Sequence, residues 1–179
     1  HPDGDFGYSV QIGDGNSIAV KTGIDVVADF RRKDIALGGQ GAPLVPAFHQ
    51  AVFSSNTENR AIINIGGISN ITYLPRAGDE PCKPVLGWDS GPGNGLMDAW
   101  ILAHKQESYD EGGEWAKSGT LNNDLLERLL GDEYFSQTAP KSTGKEQFTL
   151  TWLQSKLTEK LAPEDVQHTL LELTAQTIS

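Results

Sequence analysis

Between residues 61 and 105 the hydrophobic period switches from two to about 3.6, and this limits what the chain can fold into. The runs "AIINIGG" at 61–67, "NITYL" at 70–74 and "PVLGWD" at 84–89 read as strands. In "NGLMDAWILAHK" at 94–105, Leu96, Ala99, Trp100 and Ala103 recur at helical spacing. Strands that alternate with helices give an α/β class, and the Gly-Gly turn at 66–67 adds a hairpin. A mixed sheet with flanking helices is therefore expected, not a purely parallel one.

The rest of the chain extends this pattern. "YSVQIG" at 8–13 alternates like a strand, "GDGN" at 13–16 has hairpin-turn chemistry, and "SIAVK" at 17–21 reads as the returning strand. "GIDVVADF" at 23–30 is apolar enough for a buried strand. "GGQGAPL" at 38–44 is a loop, and Pro43 suits the first turn of a helix over 43–54 with Ala47, Phe48, Ala51 and Val52 on its apolar face. The break near 55–60 predicts two lobes, 1–58 and 59–179. After a Pro/Gly/acid-rich loop at 75–84, helices are predicted over 94–105, 121–130 and 149–161. A last one starts at Pro163, with Val166, Leu170, Leu173 and Ile178 as its stripe.

Bulk properties exclude some functions. The net charge of -10 argues against a protein that tracks nucleic-acid phosphates. No apolar run approaches the roughly 20 residues that cross a bilayer. Cys82 is the single cysteine, so no internal disulfide can form, as suits a reducing compartment; flanked by Pro81 and Pro84, it reads as an incidental thiol in a surface loop. The opening "HPDGDFGYSV" and an end that stops inside a helical pattern, "LLELTAQTIS", are expected of a piece of a longer chain.

Three strand ends carry unusual residues. "DFRRKD" places Arg31, Arg32 and Asp34 after an apolar run; an arginine there can clamp a carboxylate or phosphate, and a solvated surface pair explains it as well. In "NIGGISN", Asn64 to Asn70, the Gly66 and Gly67 N–H groups with Ser69 and Asn70 can converge on an anion, and a plain two-glycine hairpin explains the same spacing. In "DSGPGN", Gly91 and Gly93 leave space around Asp89, and Asn94 can cap the helix that follows. Asp89 there can act as a base toward a hydroxyl or water, or accept a backbone bond in an Asx-type turn. "PKSTGKEQF" at 140–148 is a poor Walker loop, lacking the strand and the glycine spacing. His1, His49, His104 and His168 share no metal-binding spacing.

Taken together, "QIGDGNSIAVKTGIDVVADFRRKDIALGGQGAPLVPAFH", "NIGGISNITYL", "GWDSGPGNGLMDAW" and "PKSTGKEQF" resemble the anhydro-N-acetylmuramic acid kinases, from about residue 9 to the end. The resemblance implies an actin-like (ribonuclease H-like) ATPase fold whose two lobes close over ATP and a sugar. It implies ATP-dependent phosphorylation of 1,6-anhydro-N-acetylmuramic acid with hydrolytic opening of the anhydro bridge, in cytoplasmic murein recycling. By the same resemblance Asp89 is the catalytic aspartate, Arg31, Arg32, Gln40, Gly91 and Asn94 bind substrate, and Asn64, Gly66, Gly67, Ser69 and Asn70 face ATP. Mg2+ is the implied metal and a homodimer an admitted assembly. The family's opening "GTSLDG"-type hairpin and its closing glycine-rich segment do not occur in these 179 residues, so the segment alone is expected to lack a full ATP site. Two other functions suit the same residues: a nucleotide-independent glycosidase using Asp34 and Asp89, and a non-catalytic sugar-binding protein.

Overall fold

The computed structural model describes residues 8–78, 81 and 83–179. His1 and Cys82 lie outside them. The chain divides into two compact units, one ending at Leu44 and one running from Val45 to Ser179.

The smaller unit departs from the strands expected of it. Residues 15–22 form a helix, α1 (Gly15–Thr22), where "GDGN" and "SIAVK" predict a turn and a strand. Asp14 caps it, accepting from Ser17 N at 2.9 Å and Ser17 Oγ at 2.6 Å. Gly23, at φ 68°, closes the other end by donating to the Ala19 carbonyl. A second helix, α2 (Phe30–Ala36), begins at the tail of the predicted strand 23–30, and residues 8–13 and 23–29 are irregular. The reason is pairing. A helix satisfies its N–H groups locally, whereas a strand needs a neighbour, and no ladder forms among the described residues of this unit. The apolar side chains that predicted buried strands face solvent instead, with Val20 86% and Val27 77% exposed.

The larger unit opens with α3 (Pro46–Phe53), which starts at Pro46, three residues later than the Pro43 start predicts. Its predicted apolar face is exposed, and His49 is its buried residue. The cause is specific: His49 Nδ1 meets Thr72 Oγ1 at 2.9 Å, and that bond sets which side of α3 meets the sheet.

The sheet follows, with β1 (Arg60–Ile65), β2 (Ile68–Leu74) and β3 (Leu86–Pro92) in the order β1-β2-β3. Both pairings are antiparallel, so the described sheet is not mixed. The two-residue Gly66–Gly67 turn between β1 and β2 is far too short for a parallel crossover, which takes a dozen or more residues. The register slips between Ser69 and Asn70: Ser69 faces Gly91 and Asn70 faces Asp89, leaving Ser90 as the extra residue of a β-bulge.

Six helices then build the core: α4 (Gly95–Lys105), α5 (Glu114–Ser118), α6 (Asn123–Leu130), α7 (Glu133–Ser136), α8 (Leu150–Lys156) and α9 (Pro163–Ile178). α5 and α7 are single turns that the periodicity does not reveal. α4, α6 and α8 correspond to predicted helices with shorter bounds, and α9 starts at Pro163 as predicted. The α9 stripe Val166, Leu170 and Leu173 is buried against Leu96 and Trp100 of α4, Leu125, Leu126 and Leu129 of α6, and Leu153 of α8. α9 also anchors the β3–α4 link, because Thr174 Oγ1 donates to the carbonyls of Pro92 (3.0 Å) and Gly93 (3.1 Å).

Asp132, the cap of α7, ties this core to α8. Its carboxylate accepts from Trp152 Nε1 at 2.8 Å and from the Tyr134 N–H, and pairs with Lys156 at 3.3 Å. Burial pushes its pKa up, but these donors outweigh burial and hold it below the usual carboxylate range. A depressed folded pKa contributes stability above the unfolded value and loses it as pH falls through the folded one. Acidification from pH 7 to pH 3 should therefore lower the urea midpoint more in the unaltered protein than in Asp132→Asn. Equal losses in the two would contradict this role.

Candidate active site

The sheet register puts three of the predicted site residues in one row. Asn64 lies opposite Asn70, and Asn70 opposite Asp89. Directly opposed residues of antiparallel strands share a face, so these side chains line one side of the sheet. The Asn70 Oδ1 atom is buried without a hydrogen-bond partner.

Asp89 itself is 6% exposed. Its Oδ2 accepts from Ser142 Oγ at 3.1 Å and from the Thr143 N–H at 2.9 Å. Its own N–H donates to the Lys141 carbonyl at 3.0 Å, and its carbonyl accepts from the Tyr134 hydroxyl at 2.6 Å. Residues 141–143 thus lie along the end of β3 and close over the carboxylate. Burial, with the Asp89 charge adding to it, raises the Tyr134 pKa. Burial lowers that of Lys141, whose Nζ donates to the Tyr134 carbonyl and lies 4.6 Å from the Tyr134 ring centre.

The glycines around Asp89 have a different use from the one expected. Gly91 and Gly93 do not leave a cavity beside the acid. A β-carbon on Gly91 would fall 2.8 Å from Phe135 Cε1, and one on Gly93 would overlap the Gly66 carbonyl. Gly95 is in the same position: its β-carbon would lie 2.9 Å from the Gly67 carbonyl oxygen. The β3–α4 link packs directly on the Gly66–Gly67 hairpin turn, and only glycine permits that approach. Three hydrogen bonds hold the contact, from the N–H groups of Gly93 and Gly95 to the Gly67 carbonyl and from Asn94 N to the Gly66 carbonyl at 2.8 Å.

Two expected anion donors are therefore otherwise engaged. The leading N–H groups of α4 point into the hairpin, and Asn94 has helical backbone angles and gives no side-chain cap. The Ser69 hydroxyl, fully buried, faces Ser90 Oγ at 2.6 Å and not the turn.

The positive group at this corner is one that spacing alone passes over. Lys145 lies over the turn, so that a β-carbon on Gly67 would fall 2.5 Å from Lys145 Cε. Gly67, Gly95, Asp98, Lys145 and Thr149 are among the residues around a cavity of about 380 Å³. Burial raises the Asp98 pKa, with Lys145 partly opposing it. The run "PKSTGKEQF", unconvincing as a Walker loop, thus reaches both Asp89 and the glycine turn. The alternation of Lys and Ser/Thr about Gly144 is the signal that marks it. No group of three or more His, Cys, Asp or Glu among the described residues is arranged to hold a metal ion.

In the smaller unit the Arg31 guanidinium donates to the Gly41 carbonyl, and Arg32 pairs with Asp29 at 3.4 Å. Asp34 Oδ2 accepts from the Gly41 N–H at 2.7 Å, and Gln40 is half-buried. Arg31 and Asp34 thus hold opposite sides of Gly41, with Gln40 next to it in the chain.

The family model for anhydro-N-acetylmuramic acid kinase matches residues 1–179. The chain belongs to the anhydro-N-acetylmuramic acid kinase family. Among proteins of that name, the one from Shewanella pealeana is 56% identical over 180 residues, covering 99% of this chain and 48% of its own. That from Photobacterium profundum is 58% identical, covering 99% and 46%, and that from Saccharophagus degradans 61%, covering 94% and 45%. The chain thus spans about half the length of the anhydro-N-acetylmuramic acid kinases it matches. The relatives are named as kinases of anhydro-N-acetylmuramic acid, and no helix among the described residues of this chain is long and apolar enough to cross a membrane.

Proposed function

We propose that this chain is part of an ATP-dependent kinase of 1,6-anhydro-N-acetylmuramic acid, which opens the anhydro bridge and yields N-acetylmuramic acid 6-phosphate. Family membership supports the reading. The structural observation that carries it is the position of Asp89: at the end of β3, in a row with Asn64 and Asn70, beside the segment whose Lys145 covers the Gly66–Gly67 turn. In the smaller unit Arg31, Arg32 and Gln40, and in the larger unit Asn94, stand as proposed substrate contacts, whereas Gly91 packs against Phe135. Asn64, Gly66, Gly67 and Asn70 stand as proposed ATP-side residues, while Ser69, buried against Ser90, braces the sheet beneath them. The actin-like two-lobed fold is proposed with them.

In this mechanism the 141–143 segment withdraws and frees the Asp89 carboxylate. Asp89 then takes one proton from a water directed at C1 of the bicyclic sugar. The water oxygen bonds to C1 as the C1–O6 bond breaks. The O6 oxygen leaves with the electron pair and attacks the γ-phosphorus of ATP, whose bond to the bridging oxygen breaks so that ADP departs with that electron pair. Asn70, with its unanswered buried acceptor, orients a donor beside Asp89. Lys145 holds phosphate oxygens over Gly67, where absence of a side chain permits close approach. Mg2+ bound with ATP takes only one or two protein carboxylates, and Asp98 offers one in the Lys145 cavity, so the donor set fits it. When bound, Mg2+ neutralises charge on the transferring phosphoryl group.

Nucleotide dependence tests the reading. In the whole kinase of which this chain is proposed to be part, with the anhydro sugar as substrate, ring opening followed by NMR is expected only when ATP is present. Opening without nucleotide would replace the kinase with the glycosidase.

A further inference from the structure

Asp89 is held at two levels, and the mechanism uses only one of them. Ser142 and Thr143 grip the carboxylate, and they have to leave before that group can act. The main chain of Asp89 is held separately. Its carbonyl accepts from the Tyr134 hydroxyl at 2.6 Å. Tyr134 belongs to α7, and the mechanism gives it no part.

The sheet by itself is a weak support at this point. The bulge inserts Ser90 between Asp89 and Gly91, and a bulge disrupts the ladder locally and bends its strand. The direction of the Asp89 side chain therefore depends on how the bulge is fixed. Within the sheet it is fixed by the Ser90 hydroxyl, 2.6 Å from Ser69 Oγ. From outside the sheet it is fixed by Tyr134.

Tyr134 is suited to that task. It is buried, and its ring packs edge-on against Phe135 and Phe148, with centroids 5.8 and 5.5 Å away. Phe148 in turn meets Trp152 of α8, whose ring N–H donates to Asp132 at the start of α7. The hydroxyl thus reaches Asp89 from the core and stays there when residues 141–143 move. Burial, with the Asp89 charge adding to it, keeps the phenol protonated and so a donor. It donates to a carbonyl and not to the carboxylate, so it lies outside the proton transfer itself. Packing alone does not require the hydroxyl, because a phenylalanine would fill the same space beside Phe135 and Phe148.

We propose that Tyr134 is a positioning residue for Asp89: its hydroxyl fixes the main chain at the β3 bulge, so that the carboxylate keeps its place opposite Asn70 once residues 141–143 withdraw. The proposal rests on the kinase reading, in which Asp89 is the base, and adds the group that holds the base in line. Such a role has a large effect, since a misplacement of about 1 Å can lower a rate about 10²-fold.

The test compares Tyr134→Phe, Asp89→Asn and the double variant in the whole kinase of which this chain is proposed to be part, with ATP and the anhydro sugar as substrates. Tyr134→Phe keeps the ring and removes only the donor. Its kcat is expected to fall by about 10–10²-fold, with KM changed by less than about twofold. In the Asp89→Asn background the same substitution should lower kcat no further, because the base it serves is gone. A purely structural role would reduce the rate by the same factor in both backgrounds, and that result would overturn the proposal. An unchanged kcat in Tyr134→Phe, or failure of that variant to fold, would overturn it as well, the second by placing the hydroxyl in the service of the core. In each of these cases Asp89→Asn still loses its rate and the kinase reading stands. Full rate in Asp89→Asn would instead remove the base itself, and the proposal with it.

Discussion

Replacing Asp89 with Asn is expected to lower the rate of phosphoryl transfer to the anhydro sugar by about 10²–10⁴-fold, the usual contribution of a positioned base. The substitution keeps the size and the acceptor oxygen, so the Thr143 N–H at 2.9 Å retains a partner and the segment 141–143 stays in place. What is lost is the ability to take up a proton. The loss should therefore appear in kcat, with the melting temperature changed little. A fall of under tenfold would remove Asp89 from the role of base. It would leave the carboxylate as a clip for the Ser142–Thr143 segment, an account its burial also fits.

Leu173→Ala should destabilise the larger unit by about 2–5 kcal/mol, the range for truncating a fully buried leucine. Leu173 is 0% exposed and belongs to the cluster formed by α4, α6, α8 and α9. Its neighbour Thr174 holds the carbonyls of Pro92 and Gly93, so loosening α9 also loosens the link that follows Asp89. Guanidinium unfolding followed by tryptophan fluorescence measures the first effect. A change below about 1 kcal/mol would mean that the site collapses around the smaller side chain.

The helices of the core were legible because periodicity records burial. Leu96 and Trp100 on α4, and Val166, Leu170 and Leu173 on α9, recur at helical spacing and all become interior. The hairpin at Gly66–Gly67 was legible from its turn chemistry. The same reasoning failed at 8–30. "SIAVK" and "GIDVVADF" have strand composition, but a strand also needs a partner ladder, and local hydrogen bonds with the Asp14 cap win where none forms. It failed again at α3, where an exposed apolar face and a buried histidine invert the usual preference because Thr72 answers the ring nitrogen.

For the site, the sequence alone determined where the unusual residues lie: an acid at the end of an apolar run, a glycine pair, and a Lys-Ser-Thr-Gly-Lys run much later in the chain. Only the tertiary structure decided what they do to one another. It aligned Asn64, Asn70 and Asp89 through strand register, laid residues 141–143 over the carboxylate, and set Lys145 above Gly67. It also showed that Gly93 and Gly95 admit a neighbouring turn and not a ligand. The physical reason is the same in each case. Composition and spacing report which local conformations a segment tolerates, whereas a missing side chain is equally useful to a substrate and to another stretch of backbone. Which of them fills the space depends on contacts between residues far apart in the chain.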